Sequence, residues 1–341
     1  MYSTCIFNQF LAFGKSLGKK MEKIVVLATG GTIAGSAASA HDNLRYQAGQ
    51  QSIEQVLMGV AGLQQALGPC VLEAHQIAQI DSKDLDYALW QTLAQACAQH
   101  LQRSDVRGVI VTHGTDTLEE TAYFLDQVLP AAPQAATWQD KAVVLVSAMR
   151  PATSAQADGP GNLLQALAVV QNPQARGVLA VACGKVQSAQ TVRKVQPYHV
   201  DAFSSGDQPV LGQVQQGQVQ WQQLPAWQPA AAPRLWQQVL HTPAAQWPWV
   251  ELVHSGAGST ARTVQALQAA GVNGVVLVGT GNATVHQHLL QGWQVPVWRT
   301  TRCLEGSLPP QDVLASELPL APTGLVPSKA RVALLLQLLL A

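Results

Sequence analysis

Lys23-Ile24-Val25-Val26-Leu27-Ala28-Thr29-Gly30-Gly31-Thr32-Ile33-Ala34-Gly35 is the stretch on which the fold turns. From Lys23 to Ala28 the run is apolar almost without interruption, and it stops at a glycine pair. A strand covered by helices on both faces reads this way, because neither face is left for water. The pattern recurs at 108–112 (GVIVT), 143–147 (VVLVS) and 177–182 (GVLAVA), with a further strand at 71–80. Between these runs, 53–67, 85–101, 117–129 and 162–171 carry apolar residues at helical spacing. Strands alternating with helices predict an α/β domain built on a mostly parallel sheet flanked by helices.

Working outward, Pro225, Pro229, Pro233, Pro243 and Pro248 crowd together with Trp and Gln, which reads as a linker over 225–248. A smaller C-terminal α/β domain is expected over 249–341, with strands at 250–253, 274–278 and 295–299 and helices at 261–270, 285–291 and 330–340. The larger N-terminal domain spans 21–224. Residues 1–20 read as a disordered extension. Their apolar run at 6–13 is broken by Asn8 and Gln9, and Lys15, Lys19 and Lys20 follow it, the reverse of a secretory signal. Met21 is accordingly the expected start, and the cytoplasm the expected compartment.

Composition narrows the function. Lys+Arg and Asp+Glu balance at 20 each, leaving no basic stripe to displace counterions from phosphates, so no nucleic-acid partner is expected. No segment approaches the ~20 apolar residues of a membrane helix. Cys5, Cys70, Cys97, Cys183 and Cys303 lie far apart, without the C-x-x-C spacing of a zinc or dithiol site. The nine histidines are scattered and form no ligand motif, so neither metal nor cofactor is expected. Only 12% of residues are charged, which suits a chain that buries surface in a homo-oligomer.

Four stretches hold chemistry-bearing residues. In Thr29–Gly35 the glycines allow close backbone approach, beyond a strand end where ligands bind in open α/β sheets. Thr32 stands where a G-x-G-x-x-G fingerprint needs glycine, and Ser36-Ala37 follows where a phosphate loop needs Lys-Ser/Thr. What remains is a threonine hydroxyl on a glycine-rich turn, or a plain tight turn. Thr112-His113-Gly114-Thr115-Asp116-Thr117 again follows a buried strand; Thr115 and Asp116 read either as a helix N-cap pair or as ligand-holding groups. Glu119 and Glu120 suit the dipole of the helix that begins there. Ser147-Ala148-Met149-Arg150-Pro151 through Asp158-Gly159-Pro160-Gly161-Asn162 is the third stretch. Lys194 is the fourth, either a solvated surface lysine or a base. No G-x-S-x-G nucleophile elbow occurs.

Taken in order, the ATGGTIAG strand end, VTHGTDTLEETAYFL and SAMRPATSAQADGPGNL resemble the bacterial-type L-asparaginases and asparaginase-glutaminases, from about Lys23 to the closing LVPSKARVALLLQL. The resemblance implies an amidohydrolase that converts the side-chain amide of asparagine to aspartate and ammonia through an acyl-enzyme. It implies Thr32 as nucleophile, Tyr46 as the tyrosine that activates it, and Thr115 with Lys194 as a second catalytic pair. It implies Asp116 on the substrate amino group, Ser82 on its carboxylate, and Ala148, Gly31 and Gly114 as backbone contacts. Thr284 stands where a neighbouring subunit reaches the substrate. Two departures matter. Lys83 occupies a position where glutamine-using relatives often carry Gln or Glu, and Thr284 replaces a common Asn or Ser. They keep a different amide substrate, or a non-catalytic amino-acid-binding role, as the alternative.

Overall fold

A computed structural model describes residues 4–6, 21–230, 233–313, 318–322 and 324–341. The chain divides into two compact units. One comprises the chain to Ser205 with Pro209–Pro233, and the other Gly206–Gln208 with Arg234–Ala341.

The first unit begins with β1 (Thr4–Ile6) and β2 (Lys23–Gly30). Next come a small ladder of β3 (Ser36–Ala37) on β4 (Tyr46–Gln47) and two short helices, α1 (Ile53–Met58) and α2 (Leu63–Leu67). The βα series continues through β5 (Val71–Ile80), α3 (Tyr87–Leu101), β6 (Val106–Thr112), α4 (Leu118–Val128), β7 (Ala142–Val146), α5 (Gly159–Gln171) and β8 (Gly177–Ala182). Then come β9 (Lys185–Ser188), the ladder β10 (Arg193–Lys194) on β11 (Phe203–Ser204), and the hairpin β12 (Gly212–Gln215) and β13 (Gln218–Trp221).

The main sheet runs β1-β5-β2-β6-β7-β8-β9-β12-β13. Its centre, β5-β2-β6-β7-β8, is parallel, and both edges are antiparallel. Ile24, Val25, Val26 and Leu27 are each 0% exposed, as a strand covered on both faces requires. The expected α/β architecture is therefore present.

Several expectations need correction. The single helix expected over 53–67 is two, because Gly59 to Gly62 interrupts it and Gly62 takes a left-handed backbone, φ 79°. The antiparallel edge was not foreseen. Its hairpin turns at Gln216 and Gly217, both at positive φ, the backbone a two-residue hairpin loop needs. Within 1–20, read as disordered, Thr4–Ile6 pairs with β5, while the rest of that stretch lies outside the described residues.

The second unit holds α6 (Pro233–His241) from Arg234 onward, β14 (Val250–His254), α7 (Ala261–Ala269), β15 (Gly274–Gly279), β16 (Val297–Thr301) and α8 (Pro327–Leu340). The three strands form a parallel sheet in sequence order. The stretch read as a linker thus contains a helix. Proline is tolerated at the first position of α6, and Leu235, Trp236 and Val239 give it a buried face. The helix expected over 285–291 is only a 3-10 turn, Gln287–Leu289, whose His286 ring accepts the His288 N–H.

Candidate active site

The central parallel strands β2, β6 and β7 have their C-terminal ends on the same side, and the loops leaving them carry the three motifs. At the end of β2 the register against β5 shifts between Ala28 and Gly30, and Gly30 and Gly31 both take positive φ, 100° and 80°. The chain turns sharply there into the 3-10 turn Thr32–Ala34. Glycine is required at Gly31 for a second reason: a Cβ would collide with the Gly114 backbone. A Cβ on Gly114 would in turn strike the Ser82 side chain. Three loops thus meet without side chains between them, which is how Gly31 and Gly114 bring the two threonine motifs together.

Thr32 is 7% exposed, and its Oγ1 lies 2.8 Å from the Tyr46 hydroxyl. Tyr46 reaches it from β4, whose partner β3 follows the Thr32 turn directly. The Gly35 N–H donates to the Thr32 carbonyl, while the Gly35 carbonyl accepts from the Ala152 N–H, which joins the turn to the third motif.

Thr115 is buried. Its Oγ1 accepts from Lys194 Nζ at 2.9 Å, and the same ammonium donates to Asp116 Oδ1 at 2.6 Å. Ser82 Oγ accepts from the Asp116 N–H at 3.2 Å, and the Ser82 carbonyl accepts from the Thr117 hydroxyl. Neither Thr115 nor Asp116 caps α4; Thr117 stands at the N-cap and makes no side-chain capping bond. The N-cap reading of the pair is therefore excluded, and Lys194, with a side chain 20% exposed, is not a free surface lysine.

Ala148 is buried in the loop after β7, and that loop is clamped on both sides. The Met149 and Arg150 N–H groups donate to the Asp158 carboxylate at 3.0 and 2.9 Å, and Asn162 Nδ2 donates to the Ser147 carbonyl. Nothing in the sequence pattern of this stretch signals these tasks for Asp158 and Asn162.

His113, fully buried, also went unassigned. Gly114 offers it a carbonyl, which only accepts, so Nδ1 carries the proton at 2.7 Å. Nε2 then accepts from the Thr121 hydroxyl, which itself accepts from the Trp90 indole. Burial pushes the His113 imidazole down to about 4, against a smaller upward pull from the Gly114 bond.

Thr284 and Lys83 have other partners. Thr284 belongs to the second unit, where it is exposed and its Oγ1 lies 2.9 Å from Thr280 Oγ1. Lys83 follows Ser82, but its ammonium donates to Asp84 at 2.6 Å and lies 3.4 Å from Asp81. The Asp84 bond, reinforced by Asp81, holds its pKa above the ordinary lysine value.

Among the described residues, one trio has metal-ligand chemistry: Glu73, His75 and His100, with ligand atoms within 4.8 Å of one another. Arg103 already occupies that trio, donating to both Glu73 oxygens at 2.7 and 2.9 Å, with Nη1 3.0 Å from His100 Nδ1. A guanidinium there repels a cation, so the trio is an ion-pair network. Glu73 lies near the start of β5, away from the strand ends that carry the threonines.

A buried threonine hydroxyl paired with a phenol, and a second threonine paired with a lysine and an aspartate, thus sit in loops where the parallel strands of an α/β fold end. Comparison with known proteins gives the class, an amidohydrolase enzyme. The family model "Asparaginase, N-terminal" matches residues 23–227. The glutaminase-asparaginase of Pseudomonas fluorescens biotype A is 35% identical over 285 residues, 81% of this chain and 72% of that protein. L-asparaginase 2 of Escherichia coli K12 is 34% identical over 269 residues, 78% of this chain and 72% of that protein. The solved structure of a probable cytoplasmic L-asparaginase from Campylobacter jejuni superposes with a TM-score of 0.81 at 33% identity, covering 93% of this chain and 95% of that one. The chain belongs to the asparaginase family.

Proposed function

We propose that this protein hydrolyses the side-chain amide of L-asparagine to L-aspartate and ammonia, with Thr32 as nucleophile. The observation that carries the proposal is the 2.8 Å contact between Thr32 Oγ1 and the Tyr46 hydroxyl. A threonine hydroxyl is a weak nucleophile and needs a partner to take its proton. Tyr46 is in hydrogen-bond reach to do so as the oxygen attacks the amide carbon. The oxyanion that forms is met by backbone N–H groups of the glycine-rich turns. The amide nitrogen takes up a proton and leaves as ammonia, giving an ester on Thr32. Water then adds to that ester, aspartate departs, and the proton returns to Thr32.

Thr115, Lys194 and Asp116 form the second part of the proposal. The ammonium of Lys194 orients the Thr115 hydroxyl by occupying its lone pair, which leaves the Thr115 proton to be donated or relayed. Asp116 uses Oδ1 for Lys194, so its other oxygen is the one offered to a substrate ammonium. Ser82 Oγ accepts from the Asp116 N–H, which leaves its own proton for the substrate carboxylate. Ala148 contributes a backbone contact. Thr284 enters the site from a neighbouring copy in a homo-oligomer, a tetramer or dimer, and sedimentation velocity tests the assembly. A cytoplasmic location belongs to the same reading; it is supported by Cys70, Cys97, Cys183 and Cys303, all free thiols.

Lys83 favours asparagine over glutamine. Its ammonium is drawn to Asp84 and Asp81, so the position offers the longer substrate no amide or carboxylate partner. The test is ammonia release from L-asparagine, L-glutamine and D-asparagine side by side. Strong turnover of L-asparagine with little of L-glutamine supports the proposal. A folded protein that releases ammonia from none of them points to another amide substrate or to a binding role.

A further inference from the structure

The two-residue ladder that carries Lys194 is a weak platform for a group whose position matters. Arg193 and Lys194 pair with Phe203 and Ser204, and the neighbouring Val195 and Gln196 N–H groups both donate to the Ala202 carbonyl, but a ladder this short has few bonds of its own at Lys194. The Lys194 N–H does not point to solvent. It donates to Glu119 Oε2 at 2.8 Å, across 75 residues of sequence. Glu119 lies in the first turn of α4, two residues after Thr117 and four after Thr115. One continuous segment, Thr115 to Glu119, therefore grips Lys194 at both ends. Thr115 and Asp116 take the ammonium at 2.9 and 2.6 Å, and Glu119 takes the backbone.

We infer that Glu119 is a positioning residue for Lys194: its carboxylate fixes the lysine backbone so that the ammonium is delivered to Thr115. The inference rests on the reading that Lys194 and Thr115 act in the chemistry. The physical reason is reach. A lysine side chain has four rotatable carbons and much rotamer freedom to lose. Its ammonium is held in one place only if both ends of the chain are held. Asp116 cannot do this alone, because its carboxylate is half exposed, its side chain 48% accessible. A charge-assisted bond to a backbone N–H is among the stronger ones available, and α4 is anchored by Leu118, Ala122 and Leu125, each at most 2% exposed. Glu119 thus ties a short loop ladder to a helix fixed in the core. Its position in the first helical turn, where the helix dipole already favours an acid, is a second reason for the residue type, and it hides the first from anyone reading the sequence.

The experiment compares Glu119→Met, Glu119→Gln, Lys194→Met and the double variant Glu119→Met/Lys194→Met by steady-state ammonia release, with thermal unfolding of each. Met matches the length of Glu and keeps helix propensity but accepts no N–H bond; Gln keeps one carbonyl oxygen as acceptor. The expected result is a fall in kcat of about tenfold or more for Glu119→Met with KM within about threefold. Glu119→Gln is expected to recover most of that loss. The double variant should be no slower than Lys194→Met alone, because two residues acting through one group are not additive.

Glu119→Met with wild-type kcat, beside an impaired Lys194→Met, overturns the inference and leaves the role of Lys194 standing. Lys194→Met with wild-type kcat removes the underlying reading and the inference with it. A double variant slower than Lys194→Met by the full Glu119→Met factor shows that Glu119 acts independently of Lys194, and so also overturns the inference. Should Glu119→Met fail to fold, Glu119→Gln decides alone. A tenfold loss of kcat at unchanged unfolding temperature would show that the acceptor oxygen is not what matters.

Discussion

Thr32 and Tyr46 are 14 residues apart in sequence and share one hydrogen bond, and the chemistry proposed here begins at that contact. Thr32→Ala removes the attacking oxygen while leaving the turn, so it is expected to keep the fold and to lower kcat by about a thousandfold or more. Circular dichroism and ammonia release on the same preparation check this; near wild-type turnover would remove Thr32 as nucleophile. Thr115→Val and Lys194→Met are expected to lower kcat more than they raise KM, since neither is placed to bind ground-state substrate. An effect confined to KM would make either one a binding residue. At this scale the sequence was informative about residue type. The surroundings of Lys194 in the chain left surface and site both open, because a lone lysine in a short stretch has no periodicity to read; only the family resemblance paired it with Thr115. Glu119 was legible only as a dipole partner.

At the scale of elements, what places the side chains is the meeting of loops. Gly31 and Gly114 touch where any Cβ would intrude, and Gly31 also sits at φ 80°. Gly31→Ala therefore faces both a backbone penalty and a collision with backbone, which cannot move aside as a flexible side-chain tip can. The expected outcome is a destabilised protein, by about 1–3 kcal/mol from the backbone conformation alone, with kcat reduced further than the stability loss explains, because the two threonine loops are pushed apart. Urea unfolding and kinetics on the soluble fraction measure both. Asp158 makes a complementary case. Asp158→Ala leaves the Met149 and Arg150 N–H groups without their acceptor and frees the Ala148 loop. KM is expected to rise and the unfolding midpoint to fall, since the freed N–H groups lose their acceptor; an unchanged KM would show that the loop holds its shape without the carboxylate. The helix expected at 53–67 broke at Gly59 to Gly62, and the one at 285–291 shrank to a turn. Apolar spacing marks a face but does not count how many turns fit before the chain must bend.

At the scale of the whole molecule, acid sensitivity follows from the buried network in the first unit. Desolvation pushes His100 down to about 4, helped by the charges of His75 and Arg103, and burial does the same for His113. In the unfolded chain these imidazoles take up protons near 6.5. Between pH 6.5 and about 4 the unfolded chain therefore binds protons that the folded one refuses, and stability falls as pH falls through that window. Glu73 acts next. Its hydrogen bonds to Arg103 lower it from the ordinary 4.5 to about 2, so the stability it contributes is present above 4.5 and lost as pH drops toward 2. The signs agree, and urea midpoints are expected to decline steadily from pH 6.5 downward. In His100→Gln the decline between pH 6.5 and 4 should become shallower. A variant with the wild-type slope would remove His100 from the account.

The sequence by itself determined the α/β class, the strands that are buried on both faces, and the three motifs that mark the family. All of these are local patterns: runs of apolar residues, glycines at strand ends, and threonines beside them. The family resemblance paired Thr115 with Lys194, but only the tertiary structure showed that Asp116 shares the same ammonium and that neither residue caps the helix. Tertiary structure alone brought Lys194 and Glu119 together across 75 residues, clamped the Ala148 loop with Asp158, and filled the Glu73–His75–His100 trio with Arg103. The physical reason is the same in each case. Burial pattern is written along the chain because each residue meets the core or water through its own side chain. A hydrogen bond between distant residues depends on where two loops end, and no local pattern records that.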